Sequence, residues 1–286
     1  MYYRPNNPNE ISLSREKTEE EVKRFLSICF LSKVKSLLSE VMKNRVDKSL
    51  RIISLIVFLF LFSCSSEYYY LRRGIFNFDK GQYDEAIFDF TRSLEINPKL
   101  GNVYYNRGAA YWAKGEYDNA IADFNKAIEI NPRDPDAYIS RGGVYINKGQ
   151  PDQAIADFNK ALELNPTSAE AYLNRGVAYG KKGQLDQAIA DFNKALEINP
   201  KDPEAYGNRG SARREKGQYD QAISDFTKVL EINPNFGMAY YDRGRVYYLK
   251  GEYNKSWSDI KRAYDLGFKI PPEFLEDLRK ASGKQN

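Results

Sequence analysis

The chain has no histidine and only two cysteines, Cys29 and Cys64, in 286 residues. The first absence removes the side chain most used for proton transfer near neutral pH and the commonest metal ligand. The second leaves no CxxC pair and at most one Cys29–Cys64 bridge, so no zinc site and no disulfide framework is expected. A glycine-rich phosphate loop is missing too, because the glycines recur at a 34-residue interval and not as a GxGxxG or GxxxxGK cluster. Excess charge is absent from most of the chain. Residues 1–63 hold eleven basic and seven acidic residues, which accounts for the whole formal +4 and leaves 64–286 balanced. With both signs interspersed, no phosphate-tracking surface and no nucleic-acid partner are expected. The longest apolar run, Ile52–Phe62, has ten apolar residues and Ser54. That is short of the roughly twenty needed to cross a bilayer as a helix.

What the chain does have is aromatic and periodic. Its 22 Tyr and 16 Phe, in a composition 29% charged, suit a helical protein with many packed rings. Asn-Pro recurs at Asn97-Pro98, Asn131-Pro132, Asn165-Pro166, Asn199-Pro200 and Asn233-Pro234, each 34 residues after the last. A fixed period of this length means a stack of like units, none of which can bury its apolar face alone. Within one unit Tyr104, Gly108 and Tyr111, then Ala120, Ile121, Phe124, Ala127 and Ile128, fall at steps of three and four. That spacing predicts two helices with one apolar face each. The turn between them is marked by Gly81, Gly115, Gly149, Gly183, Gly217 and Gly251, residues that tolerate the positive φ of a helix end. Asn before Pro ends the second helix, and Asp134-Pro135 and Asp202-Pro203 read as N-caps with a first-turn proline.

The period and its small and aromatic positions resemble the tetratricopeptide repeat (TPR) family. With each Asn-Pro proline at repeat position 32, the windows are 67–100, 101–134, 135–168, 169–202, 203–236 and a divergent 237–270. Position 8 is then Gly74, Gly108, Gly142, Gly176, Gly210 and Gly244. Position 20 is Ala86, Ala120, Ala154, Ala188 and Ala222, and position 24 is Phe90, Phe124, Phe158, Phe192 and Phe226; the last window has Ser256 and Ile260 there. The resemblance implies an all-α fold, a right-handed superhelical solenoid of about six helix-turn-helix repeats. Residues 271–286 form a capping helix and tail, with Phe274, Leu275 and Leu278 on one stripe.

Arginine recurs at position 7 (Arg73, Arg107, Arg141, Arg175, Arg209, Arg243) and aspartate at position 23 (Asp89, Asp123, Asp157, Asp191, Asp225, Asp259). Both lie eight residues from the turn glycine, so an antiparallel hairpin brings them level and predicts an Arg–Asp ladder that sets helix register. Its alternative role is to grip carboxylates of a ligand. In the family the first helices line a concave groove. Carried onto this chain, that groove would include Asn106, Ser140, Asn174 and Asn208, with Tyr105, Trp112, Ile146, Arg214, Tyr241, Arg245 and Tyr248 around them. Such a mixture of rings, amides and arginines suits a protein or peptide ligand. The Lys and Asn of the family's carboxylate clamp for chaperone tails are missing: position 5 reads Leu71, Tyr105, Ile139, Leu173, Gly207 and Tyr241. An enzyme is not expected, and neither is a cofactor, a metal or a small-molecule substrate, because carboxylates are spread evenly by the repeat and, without histidine, a serine hydrolase would need a Ser-Lys arrangement.

The apolar run has the length of a secretory signal core, and Lys43, Arg45, Lys48 and Arg51 precede it. Leu61-Phe62-Ser63-Cys64 resembles the lipobox of bacterial lipoproteins, with Phe62 bulkier than usual. A start at Met42 puts basic head, apolar body and cysteine in the customary order, making 42–63 a signal peptide, Cys64 the lipidation site and 64–66 the mature N-terminus. Residues 1–41 are then an untranslated upstream extension or a leader. The resemblance implies a cell-envelope protein, on the outer membrane facing the periplasm. An uncleaved signal anchor and a cytoplasmic TPR adaptor or co-chaperone-like protein are the alternatives. The overall expectation is a membrane-anchored scaffold.

Overall fold

The computed structural model describes residues 66–283, and among them the chain is helix and turn with no strand. The apolar run, the signal segment 42–63 and Cys64 lie outside the described residues. The chain divides into two compact units that meet in sequence at Pro132 and Arg133.

The first unit holds α1 (66–79), α2 (Tyr83–Ile96), α3 (Gly101–Ala113) and α4 (Tyr117–Ile130). The second holds α5 (Pro135–Asn147), α6 (Pro151–Leu164), α7 (Ala169–Lys181), α8 (Leu185–Ile198), α9 (Pro203–Glu215), α10 (Tyr219–Ile232), α11 (Gly237–Leu249), α12 (Tyr253–Asp265) and α13 (Pro272–Ser282). In both units each first helix packs on the second helix of its own hairpin, and that second helix packs on the next first helix. The result within each unit is a stack of antiparallel hairpins.

Local chemistry sets the ends. Gly115 turns at φ +78, its N–H donates to Trp112 O at 2.9 Å, and the Glu116 N–H donates to Tyr111 O at 2.9 Å. These bonds satisfy carbonyls left open at the end of α3. Asp134 and Asp202 cap α5 and α9, accepting from Asp136 N and from Glu204 N and Ala205 N; Ser168 caps α7 through Ala171 N. The asparagines that end α4, α6, α8 and α10 have left the helical region, as at Asn131 with φ −127 and ψ 84, which is where the following proline pushes them.

The core is built from position 24 rings set against position 8 glycines. Phe124, Phe158, Phe192 and Phe226 are fully buried, each stabilising the fold by about 1.5–3 kcal/mol. Glycine is required opposite them: a Cβ on Gly142 would sit 2.6 Å from Phe158 Cε1. At the C-terminal end Leu278 of α13 is fully buried, the Trp257 indole N–H donates to Ser282 Oγ at 3.0 Å, and Phe274 meets Tyr241 and Tyr248 edge-on.

Candidate partner-binding groove

The ladder positions come together as bidentate pairs. Arg107 donates Nε to Asp123 Oδ2 at 2.7 Å and Nη2 to Oδ1 at 2.8 Å. Arg141 pairs with Asp157, Arg175 with Asp191, Arg209 with Asp225 and Arg243 with Asp259 in the same two-pronged way. The third nitrogen is also occupied. Nη1 of Arg107, Arg175, Arg209 and Arg243 reaches back one repeat to Thr91, Asn159, Asn193 and Thr227. A tyrosine ring three residues earlier lies under each guanidinium, as Tyr172 under Arg175 at 5.5 Å. The bonds to aspartate hold Arg141, Arg175 and Arg243 above their ordinary pKa, against the burial that opposes it. With all three nitrogens of Arg107, Arg175, Arg209 and Arg243 engaged inside the fold, these arginines tie helix to helix within a hairpin and to the preceding repeat.

A second cross-repeat series was not read from the sequence. Lys114 reaches Asp84 at 2.6 Å, and Lys182, Lys216 and Lys250 reach Asp152, Asp186 and Asp220, each 30 residues back. Its signal was visible as Lys at position 14 and Asp at position 18 in these windows.

The groove candidates separate into enclosed and accessible sets. In α3, Asn106 and Trp112 are buried, Trp112 at 4% exposure, while half-buried Tyr105 leans edge-on against Phe124. In α5, Ser140 and Ile146 are buried, and in α7 and α9 so are Asn174 and Asn208. This corrects the expectation of an open aromatic surface: Trp112 and Ile146 are core side chains. In the second unit the reason is spacing. Helices α5, α7, α9 and α11 contact one another in turn, and axes about 8–10 Å apart leave little room for solvent between facing side chains. Tyr241 and Tyr248 of α11 are also covered, since Tyr241 packs on Phe268 and both rings pack on Phe274 of the same chain.

What remains is polar. Asn174 Nδ2 and both amide atoms of Asn208 are buried without a hydrogen-bond partner. Arg214 donates to Asp242 Oδ1 at 3.0 Å, and Arg245, 40% exposed, stands 3.9 Å from the same oxygen. Two guanidiniums thus share one carboxylate. The neighbouring Arg213 points into the hairpin, where burial lowers its pKa. Among the described residues no cluster of three His, Cys, Asp or Glu could hold a metal.

Models described as tetratricopeptide repeat match residues 101–134, 169–202 and 203–236, and further such models match 77–115, 142–183, 124–156 and 226–257. The chain belongs to the tetratricopeptide repeat family. Among solved structures, this TPR chain is similar to MamA, at 29% identity over 56% of this chain and 94% of that one, with a TM-score of 0.53. It is similar to YrrB, described as a TPR protein with an unusual peptide-binding site, at 27% identity over 68% and 97%, TM-score 0.55. It is similar also to a thermophilic TPR protein of Thermus thermophilus, at 25% identity over 63% and 98%, TM-score 0.52. No curated relative matches it. The TPR fold is one of protein interaction, and the orphan amides of Asn174 and Asn208 lie on the first helices α7 and α9 of two successive repeats.

Proposed function

We propose that this TPR protein is a membrane-anchored scaffold that captures a peptide or protein segment along its first helices and performs no chemistry of its own. The observation that carries the reading is the pair of unpartnered amides. A buried donor or acceptor left unmade costs about 1–3 kcal/mol, and Asn174 and Asn208 leave three such atoms unmade on α7 and α9. Both amides are closed to solvent in the free chain, so a peptide backbone, with a donor and an acceptor in each unit, relieves that cost as α7 and α9 part to admit it. Arg214 and Arg245, sharing Asp242, give an acidic residue of the ligand a place beside them. The anchor is Cys64, lipid-modified after removal of 42–63, which places the repeats on the periplasmic side of the outer membrane.

Capture of partners from detergent-solubilised membranes tests the groove. Asn174→Leu with Asn208→Leu removes the orphan atoms while keeping volume, so the melting temperature should hold or rise as partner capture is lost. Capture unchanged by the pair moves the site off these helices. The mass of the native N-terminal peptide tests the anchor, because a diacylglyceryl Cys64 and an intact Met1 exclude each other; the latter outcome returns the uncleaved signal anchor or the cytoplasmic adaptor.

A further inference from the structure

In later repeats two positions on the first helix are small and closed off. Val103 and Ala110, Ala171 and Ala178, Ala205 and Ala212, and Ala239 and Val246 are at most 3% exposed. Ala205 and Ala212 share a cluster with Phe192 of the preceding second helix, as Ala239 and Val246 do with Phe226. Close helix approach needs small residues there. The first repeat breaks the rule at both places, with Tyr69 and Phe76, 40% and 36% exposed. On α2 it has Phe88, 53% exposed, where later repeats have Ala122, Ala156, Ala190, Ser224 and Ser258.

The polar links that tie a repeat to its predecessor are here turned back on the same repeat. Lys80, at the position of Lys114 and Lys216, lies over the Phe76 ring at 3.9 Å. Arg73 sends Nη1 to Tyr69 Oη at 3.3 Å, and its side chain is 40% exposed where that of Arg107 is 18%. Arg92 lies over Phe88 at 5.3 Å. Arg73, Asn77, Asp84, Glu85, Phe88 and Asp89 line an open cavity of 370 Å³ at this end.

Rings as large as Tyr69 and Phe76 hold off another close-packed helix, so this end is not a place kept for one more repeat. The face carries both signs of charge, so it is not built to hold a polyanion. Exposed rings with cations laid over them are the side chains that settle at the polar–apolar boundary of a bilayer. The chain itself supplies the occupant. Residue 66, the first one described and already helical, follows Cys64 by two in the sequence, and two residues span at most about 7 Å. We infer that the open end of the first repeat docks on the lipid interface, with Tyr69, Phe76 and Phe88 entering the headgroup layer. The inference rests on the anchor reading above, and it fixes how the scaffold stands on its membrane: first repeat down.

The test uses the full chain with the N-terminus that cells give it, in vesicles of phosphatidylcholine and phosphatidylethanolamine carrying acyl-chain bromine. Bromine quenches indole on contact. After subtraction of the quenching of native Trp112 and Trp257 in the unaltered chain, Phe88→Trp should be strongly quenched and Ala122→Trp, the same repeat position one repeat further on, only weakly, and salt should not change this. Equal quenching, or none, overturns the inference. Tyr69→Ala with Phe76→Ala, small residues like those of later repeats, should fold and bring Phe88→Trp down to the Ala122→Trp level. If that pair instead dissolves a concentration-dependent dimer seen by sedimentation, a second copy covers the face and the inference falls. The N-terminal mass keeps the two readings apart: a lipidated Cys64 without quenching removes the docking face alone, and an unmodified Cys64 with strong quenching removes the anchor alone.

Discussion

Arg213 donates Nη1 to Asp225 Oδ2 across 2.7 Å, although Asp225 already holds Arg209 through Nε and Nη2. At 2% exposure this aspartate neutralises two guanidiniums at once. Its removal should therefore cost more than that of any aspartate serving one arginine. Asp225→Ala should lose about 3–5 kcal/mol by urea denaturation, the range for breaking a buried ion pair from one side. Asp123→Ala should lose less. Equal losses refute the shared-carboxylate account.

Glycine at position 8 is a matter of room. The Cβ of Gly142→Ala would meet Phe158 Cε1 at 2.6 Å, whereas that of Gly108→Ala meets Phe124 at 3.2 Å. Overpacking of this kind costs about 1–3 kcal/mol. The expected order is Gly142→Ala worse than Gly108→Ala in thermal melts, with Phe158→Leu restoring part of the first loss.

At the turns, glycine is a matter of conformation alone. Gly149 has φ +72 and nothing within reach of a Cβ. Gly149→Ala should lose about 1–2 kcal/mol, and Gly149→Asn less, since asparagine tolerates this region. A loss in Asn as large as in Ala would point to a steric cause.

Glu252 lies between Lys250 and Lys255, at 2.8 and 2.7 Å. Its carboxyl is held below the usual range, first by the hydrogen bond from Lys250 and then by that from Lys255. A lowered carboxyl contributes stability above the ordinary carboxylate range and loses it as pH falls through the lowered value. Glu252→Gln should therefore flatten the acid limb of a stability–pH curve slightly at low salt and leave it unchanged at high salt, because the pair is exposed and screened.

Much of the fold was legible because each level repeats the same instruction. Gly115 and Gly149 mark turns, Asn131 before Pro132 ends a helix, and the eight-residue symmetry of Arg107 and Asp123 about Gly115 sets them level. The groove was less legible. Trp112 and Asn174 stand at positions that point away from the hairpin core, yet both are enclosed, and Tyr241 is covered by Phe274 from a helix outside the repeat pattern. Contacts of that kind depend on neighbours that no single window contains. The Lys–Asp links failed to register for a similar reason: a spacing of 30 joins separate repeats, whereas local patterns reveal only pairs a few residues apart.

Sequence alone determined the helices, their ends and the hairpin pairing, because φ preferences, proline exclusion and apolar spacing act over a few residues and recur every 34. Tertiary structure decided which amides lack partners, which arginines are engaged by the scaffold, and that Tyr69 and Phe76 face outward where their counterparts are covered. Burial and hydrogen-bond satisfaction belong to a three-dimensional neighbourhood, and at the first repeat that neighbourhood differs along with the side chains at Tyr69, Phe76 and Phe88.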